Sequence, residues 1–154
     1  MCGCIPPLRM WCASVAKTQM LPRVETEHRT GVWMRIASVY DGDTIVVAIV
    51  HDGHLRRRRC RLCGYDSPEL RTRNEDERTQ AVAARDHLAT LLPVGRLFRG
   101  DVRGLDKYGR LLVDLRVRGC RVADRMIEAG HGYAYNGGTK GIVQANGRRA
   151  GTPA

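Results

Sequence analysis

Apolar and polar positions settle into regular periods only from Trp33 onward. "WMRIASVY" and "TIVVAIV" are rich in β-branched and apolar residues, and the "DGD" between them is a hairpin signal. "HDGH" marks a second turn, which predicts a third strand from Leu55 to about Tyr65. In "NEDERTQAVAARDHLATLLP" the period becomes that of a helix, with Ala81, Ala84, Leu88 and Leu91 on one face. Asn74 can cap this helix, and Glu77 stands where it would complete a capping box. Glu75, Asp76 and Glu77 suit the positive end of the helix dipole, and Pro93 stops the helix. "RLFRGDV" predicts a fourth strand. "LLVDLRV" predicts a fifth, in which Leu111, Val113, Leu115 and Val117 share one face while Asp114 and Arg116 take the other. "RVADRMIEAG" predicts a short helix with Val122, Met126 and Ala129 inward and Gly130 at its end.

Three strands, a helix, two strands and a helix make a mainly β chain with helices, of the α+β class. A small barrel that closes three strands against two accommodates this order, which is the architecture of a five-stranded oligonucleotide-binding barrel. The barrel is expected within residues 31–140. Residues 1–30 show no sustained period and are expected to be a disordered or processed extension, and 141–154 a flexible tail.

The 154 residues are enough for one domain with a core, and the formal net charge is +10. That balance favours a polyanion, nucleic acid first, although an arginine-rich coding bias would also raise it. No run is apolar and long enough to span a membrane, so no membrane partner is expected. "MCGCIPPLRMWCASVA" makes a poor signal peptide, because it lacks a basic start and Pro6, Pro7 and Arg9 break its apolar run. The six cysteines form no regular framework, which favours reduced thiols and a cytoplasm-like compartment.

Candidate chemistry lies in three short motifs. "YDGDT" reads first as a turn, in which Asp41 supplies turn propensity. "GYDSPE" then places Asp66 and Glu69 at the end of a neighbouring strand, and antiparallel pairing can bring Asp43 and Asp66 to one end of the barrel. Carboxylates gathered in this way repel one another unless a cation joins them, and oxygen-only donors favour calcium or magnesium over zinc. Cys60 and Cys63 have the spacing of a zinc arm, but residues three apart on a strand point to opposite faces. By the same parity Arg57, Arg59 and Arg61 share one face, and Arg56 and Arg58 share the other with Cys60 and Leu62. Arg56 to Arg59, nearest the turn, are expected to be solvated. Arg61, close to the acidic end, could fork two hydrogen bonds to a phosphate. "DKYGR" reads either as a turn entering the fifth strand or as the carrier of a second guanidinium, Arg110.

"DGDT", "RLCGYDSPE" and "DKYGR", in this order and at these separations, resemble the staphylococcal nuclease-like (thermonuclease) family over roughly Trp33 to Lys140. The resemblance implies an oligonucleotide-binding barrel of staphylococcal nuclease type and a calcium-dependent endonuclease that hydrolyses phosphodiesters of DNA, RNA or both, leaving 3′-phosphate ends. It assigns Asp43, Asp66 and the Ser67 carbonyl to Ca2+, and Glu69 to the attacking water. It also assigns Arg61 and Arg110 to the phosphate, Asp41 to a supporting position, and Lys107, Tyr108 and Tyr135 to nucleic acid. Tyr133 is the other candidate for base contact, and Lys140 could meet a phosphate. The chain departs from the family after the last barrel segment, where "NGGTKGIVQANGRRAGTPA" offers no amphipathic helix. A monomer with no protein partner is implied. The competing expectation is a non-catalytic nucleic-acid-binding barrel, to which three carboxylates facing a polyanion would be a hindrance without a metal.

Overall fold

The computed structural model describes residues 28–51 and 53–135. The expected tail, Lys140, and all but the last three residues of the expected extension lie outside these. Strands β1 (Arg29–Val39), β2 (Thr44–His51) and β3 (His54–Leu62) form an antiparallel meander, with Arg35 opposite Ala48 and Ala48 opposite Arg57. A short strand β4 (Gly64–Asp66) follows, then helix α1 (Glu75–Leu91) and strands β5 (Leu97–Leu105) and β6 (Leu111–Val117). The two-residue strand β7 (Cys120–Arg121), helix α2 (Val122–Glu128) and strand β8 (Tyr133–Tyr135) complete the described order. β5 pairs antiparallel with β1 on one side and β6 on the other. β6 returns to β3 in parallel, Cys60 opposite Leu111 and Leu62 opposite Val113, and closes a five-stranded mixed barrel.

The barrel interior follows from strand alternation. Ile45, Val47 and Ile49 of β2, Cys60 and Leu62 of β3, and Leu111, Val113 and Leu115 of β6 all point into one core with Met34 and Ile36 of β1. Helix α1 closes the core through Ala84 and Leu88, and α2 through Val122, Ala123 and Met126. Ala123 is buried where Ala129 was expected, because α2 ends one residue earlier and leaves Ala129 exposed. Asn74 caps α1 as predicted, its side chain accepting from the Asp76 and Glu77 N–H groups at 2.9 and 3.3 Å. The rest of the box is relayed. Thr72 Oγ1 accepts from the Asn74 N–H at 3.2 Å and donates to Glu77 Oε2 at 2.6 Å, so Glu77 reaches the cap through Thr72.

The third strand is broken. β3 stops at Leu62, Gly64 adopts φ +94°, and β4 leaves the barrel to pair with β8. Within β3 the expectation that Arg56 to Arg59 are all solvated fails at Arg58, which is 4% exposed. Parity explains it, since Arg58 shares the inward face with Cys60 and Leu62. Asp114 is likewise buried on the outward side of β6, where Arg121 Nε at 3.1 Å and Arg103 Nη2 at 3.5 Å neutralise it. No helix among the described residues is long and apolar enough to cross a membrane.

Candidate functional site

The turn between β1 and β2 is built by its first aspartate. Asp41 Oδ1 accepts from the N–H groups of Asp43 at 3.1 Å and Thr44 at 2.6 Å. Two bonds of this kind fold the backbone back on itself and aim the next carboxylate, Asp43, inward. Gly42 sits at the crest, packed so closely that a Cβ would stand 2.7 Å from the Ser67 Cβ and 2.9 Å from the Ala84 Cβ. Any side chain there would push the turn away from α1 and from Ser67. Tyr65 Oη donates to the Gly42 carbonyl at 2.5 Å, and the Leu62 N–H donates to the Asp43 carbonyl at 2.8 Å. The turn is therefore clamped to the end of β3 and to β4.

The break between β3 and β4 then brings the second carboxylate into place. Asp43 and Asp66 are 5% and 1% exposed, and both reach the same guanidinium. Arg61 Nη1 stands 2.5 Å from Asp43 Oδ2, and Arg61 Nη2 is paired with Asp66 Oδ1. The far oxygen of Asp66 accepts from Tyr133 Oη at 2.8 Å, and Asp43 Oδ1 accepts from Thr44 Oγ1 at 2.9 Å. Gly132, next to Tyr133, allows this approach: a Cβ there would lie 2.7 Å from the Asp66 carbonyl oxygen. The Ser67 N–H points at Asp43 Oδ2 from 3.4 Å.

Arg110 enters from the opposite side. Its turn is organised by Asp106, whose Oδ1 accepts from the backbone N–H groups of Tyr108 and Arg110 at 2.9 and 2.8 Å. Asp106 Oδ2 holds Arg110 Nε at 2.6 Å, and Arg110 Nη1 donates to Thr44 Oγ1 at 3.1 Å. A continuous chain therefore runs from Arg110 through Thr44 and Asp43 to Arg61 and Asp66, across three separate stretches of sequence. Tyr108 is 69% exposed, with Lys107 Nζ 5.0 Å and Arg110 Cζ 5.6 Å from its ring centre. Glu69 lies exposed on the connection between Asp66 and α1. Tyr135 is half-buried opposite Gly64 on β8, two residues beyond the Tyr133 that touches Asp66.

The charges in this pocket do not balance. Burial raises the pKa of Asp43, Arg61 lowers it, and Asp41 and Asp66 raise it again, for a net value of about 6. For Arg61, burial works against the cation, but the attraction of Asp43 and Asp66 exceeds it and the pKa rises. One guanidinium shared between two carboxylates, with Asp41 beside them, leaves the pocket short of positive charge. The donors are all oxygen, and the two carboxylates converge closely enough to share one guanidinium. This set fits a hard divalent cation held by Asp43 and Asp66, with Ser67 alongside. Among the described residues no group of three or more His, Cys, Asp or Glu side chains stands in metal-holding geometry.

Cys60 and Cys63 take no part in these contacts. Cys60 is fully buried, with its thiol pKa pushed up by burial, and its Sγ approaches the Arg58 carbonyl at 3.7 Å. Cys63, beyond the end of β3, has its thiol raised by burial as well. Two of the site's groups escaped sequence reasoning. Thr44 was visible only as part of "DGDT", and Asp106 only as the first residue of "DKYGR"; the Thr44 hydroxyl joins Arg110 to Asp43 and so to Arg61, and the Asp106 carboxylate orients Arg110. Compared with models of known protein families and with curated proteins, the chain matches none.

Proposed function

We propose that the protein is a metal-dependent nuclease of the staphylococcal nuclease-like type, hydrolysing phosphodiester bonds of DNA, RNA or both with calcium at Asp43 and Asp66. The single observation that carries the reading is the chain of contacts joining Arg110, Thr44, Asp43, Arg61 and Asp66 at one end of a barrel with a basic sequence. Two guanidiniums flanking two convergent carboxylates are what phosphoryl chemistry asks for: cations for the non-bridging oxygens and anions for a metal. When bound, a calcium ion would polarise the phosphoryl group and lower the pKa of water beside it.

The residues divide the remaining work. Arg61 and Arg110 fork hydrogen bonds to the phosphate and stabilise the charge that builds on its equatorial oxygens during in-line attack. Arg61 must exchange one carboxylate partner for phosphate, which a cation between Asp43 and Asp66 would favour by taking over their charge. Glu69, exposed on its loop, takes the proton from the attacking water as general base. Lys107, Tyr108 and Tyr135 hold the flanking nucleotide, and cleavage leaves 3′-phosphate ends.

The test is direct. Purified protein is incubated with single-stranded DNA and RNA in calcium, in magnesium or in chelator, and wild type is compared with Arg61→Ala and Asp43→Asn. Cleavage that requires calcium and is lost in both variants is expected. Cleavage that persists in chelator, or full activity in Arg61→Ala, sinks the mechanism. One observation favours a second reading: both terminal nitrogens of Arg61 are already engaged by carboxylates. A barrel that binds nucleic acid without cutting it would show tight binding and no turnover under every condition.

A further inference from the structure

Two histidines outside the acidic pocket meet ring to ring. His87 lies near the end of α1, and Leu88 beside it is buried in the core. His131 follows α2, whose end is fixed by two backbone bonds. The Gly130 N–H donates to the Ile127 carbonyl at 3.0 Å, and the His131 N–H donates to the Met126 carbonyl at 2.9 Å. With Gly130 at φ +74°, these bonds form the motif that ends a helix on a left-handed residue and ties the next residue to its last turn. Both histidines therefore stand on hydrogen-bonded backbone. Their ring centres are 4.6 Å apart and the ring planes are tilted by 37°.

Ring contact at this distance is ordinary for packed aromatic groups. The nitrogens set this pair apart. Among the described residues neither imidazole has a hydrogen-bond partner for its ring nitrogens, and both rings are half-buried. Burial and the neighbouring His87 hold the pKa of His131 below its ordinary value, so this ring keeps a lone pair near neutral pH. The spacing also suits a shared ion. With each nitrogen about 2.0–2.1 Å from one metal, two imidazoles place their ring centres about 4.5–5.2 Å apart at bond angles of ~90–110°. The observed 4.6 Å falls within that range. Rotation about the Cβ–Cγ bond, which is soft in histidine, can bring one nitrogen of each ring to a common point.

We propose that His87 and His131 together bind one divalent transition metal ion of imidazole preference, nickel or zinc in kind, and that the ion clamps α1 to the connection between α2 and β8. Imidazole nitrogens disfavour calcium and magnesium, which prefer oxygen donors such as Asp43 and Asp66. Two protein ligands are fewer than the four of a structural zinc site, so the ion exchanges with solvent and does not hold the fold together. Its leverage comes from position. Gly132 follows His131, and Tyr133 beyond it donates to Asp66 at 2.8 Å, so the clamp steadies the strand that supports the acidic pocket. The site depends on the two imidazoles and not on the nuclease reading.

The test uses the full chain in saturating calcium, which occupies the carboxylates, and titrates nickel by calorimetry. Nickel is the probe because imidazole suits it, whereas thiolates select zinc. His87→Gln and His131→Gln are each expected to weaken the tightest nickel site at least about tenfold, because each removes one of its two ligands. His51→Gln/His54→Gln alters the pair opposed across the β2–β3 turn and is expected to change that affinity less than about twofold. Nickel should raise the unfolding midpoint of wild type and leave that of both single variants in place. Paramagnetic broadening of backbone amide signals locates the ion in wild type without any substitution, and should centre on His87 and His131. Broadening centred on His51 and His54 or on the cysteines overturns the site, as does nickel affinity unchanged in both His87→Gln and His131→Gln. Calcium-dependent cleavage by wild type is measured alongside. Nickel binding lost in both variants with no cleavage by wild type keeps the clamp and removes the nuclease reading. Cleavage with unaltered nickel binding in both variants does the reverse.

Discussion

Arg61 and Arg110 carry the same guanidinium into the same pocket, yet the fold holds them in opposite ways. Arg61 is 15% exposed and bridges two carboxylates that the barrel has buried. Arg110 is 24% exposed and is oriented by Asp106 four residues earlier, within one turn. The first is held by tertiary structure and in turn makes that structure tolerable, since Asp43 and Asp66 would otherwise be buried anions. The second is held by its own loop and supports little beyond it. Two residues given one role by sequence can therefore differ in how much of their worth is stability and how much is chemistry.

The largest test of that difference is to truncate each arginine. Arg61→Ala is expected to abolish detectable cleavage and also to destabilise the protein by about 3 kcal/mol, because breaking a buried pair leaves uncompensated charge. Arg110→Ala is expected to lower kcat by about 100-fold or more while costing less than about 1 kcal/mol, the ordinary worth of a partly exposed ion pair. Urea unfolding in chelator beside single-turnover cleavage in calcium separates the two quantities. Equal stability losses would break the comparison. Gly42→Ala sharpens it further. The added Cβ meets Ser67 and Ala84, so the acidic turn must shift, and cleavage is expected to fall at least about tenfold although no charge is removed. Unchanged cleavage in Gly42→Ala would show that the turn has room to spare.

A smaller effect concerns the carboxylate side of the same contrast. Burial raises Asp43 from 3.8 to about 6, against the pull of Arg61. The folded state then binds the proton more readily than the unfolded chain, so stability from this group is full below about pH 4 and falls as pH rises through about 6. In chelator at pH 7, Asp43→Asn is therefore expected to be more stable than wild type by about 3 kcal/mol, and the gap should close towards pH 4. Calcium should reverse the order by stabilising wild type alone. If Asp43→Asn is the less stable protein in chelator at every pH, the Arg61 pair outweighs burial and the account of the pocket is wrong.

The sequence carried the local half of this architecture. Asp-Gly between β-branched runs announced the first hairpin and Asn74 announced the start of α1, whereas the strand parity applied to Cys60 and Cys63 does not reach Cys63, which lies beyond the end of β3. Parity also assigned Arg58 to the inner face, but a run of four arginines hid its consequence, because a charged side chain is a poor advertisement for burial. What stayed hidden elsewhere was pairing between distant segments. β3 meets β6 in parallel across about fifty positions of sequence, a contact with no local turn to mark it. Tyr133 reaches Asp66, and Arg110 reaches Thr44, only because β8 and the β5–β6 turn are carried there by that closure. The motifs named Asp43, Arg61 and Asp66 correctly as neighbours. Their supporting groups, Thr44 and Asp106, have no signature of their own, because a hydroxyl or carboxylate in a turn looks the same whether it serves the turn or a neighbour.

The smallest effect tests whether the Arg110 turn is as independent as its geometry suggests. Burial favours the neutral acid at Asp106, but hydrogen bonds from the Arg110 side chain and backbone exceed it and the pKa is lowered. The sign is the reverse of Asp43. The folded state holds this proton less tightly, so the stabilisation is present above about pH 4 and is lost as pH falls through the lowered value. Asp106→Asn should cost less than about 1 kcal/mol at neutral pH and nothing in strong acid. Its mark should fall on catalysis, because Arg110 loses the anion that fixes its Nε and can rotate away from Thr44. A modest fall in kcat, about tenfold, with KM for a short oligonucleotide nearly unchanged is the expected pattern. A loss of global stability as large as that of Arg61→Ala would instead make the turn part of the barrel's foundation, and the two arginines would then be equivalent after all.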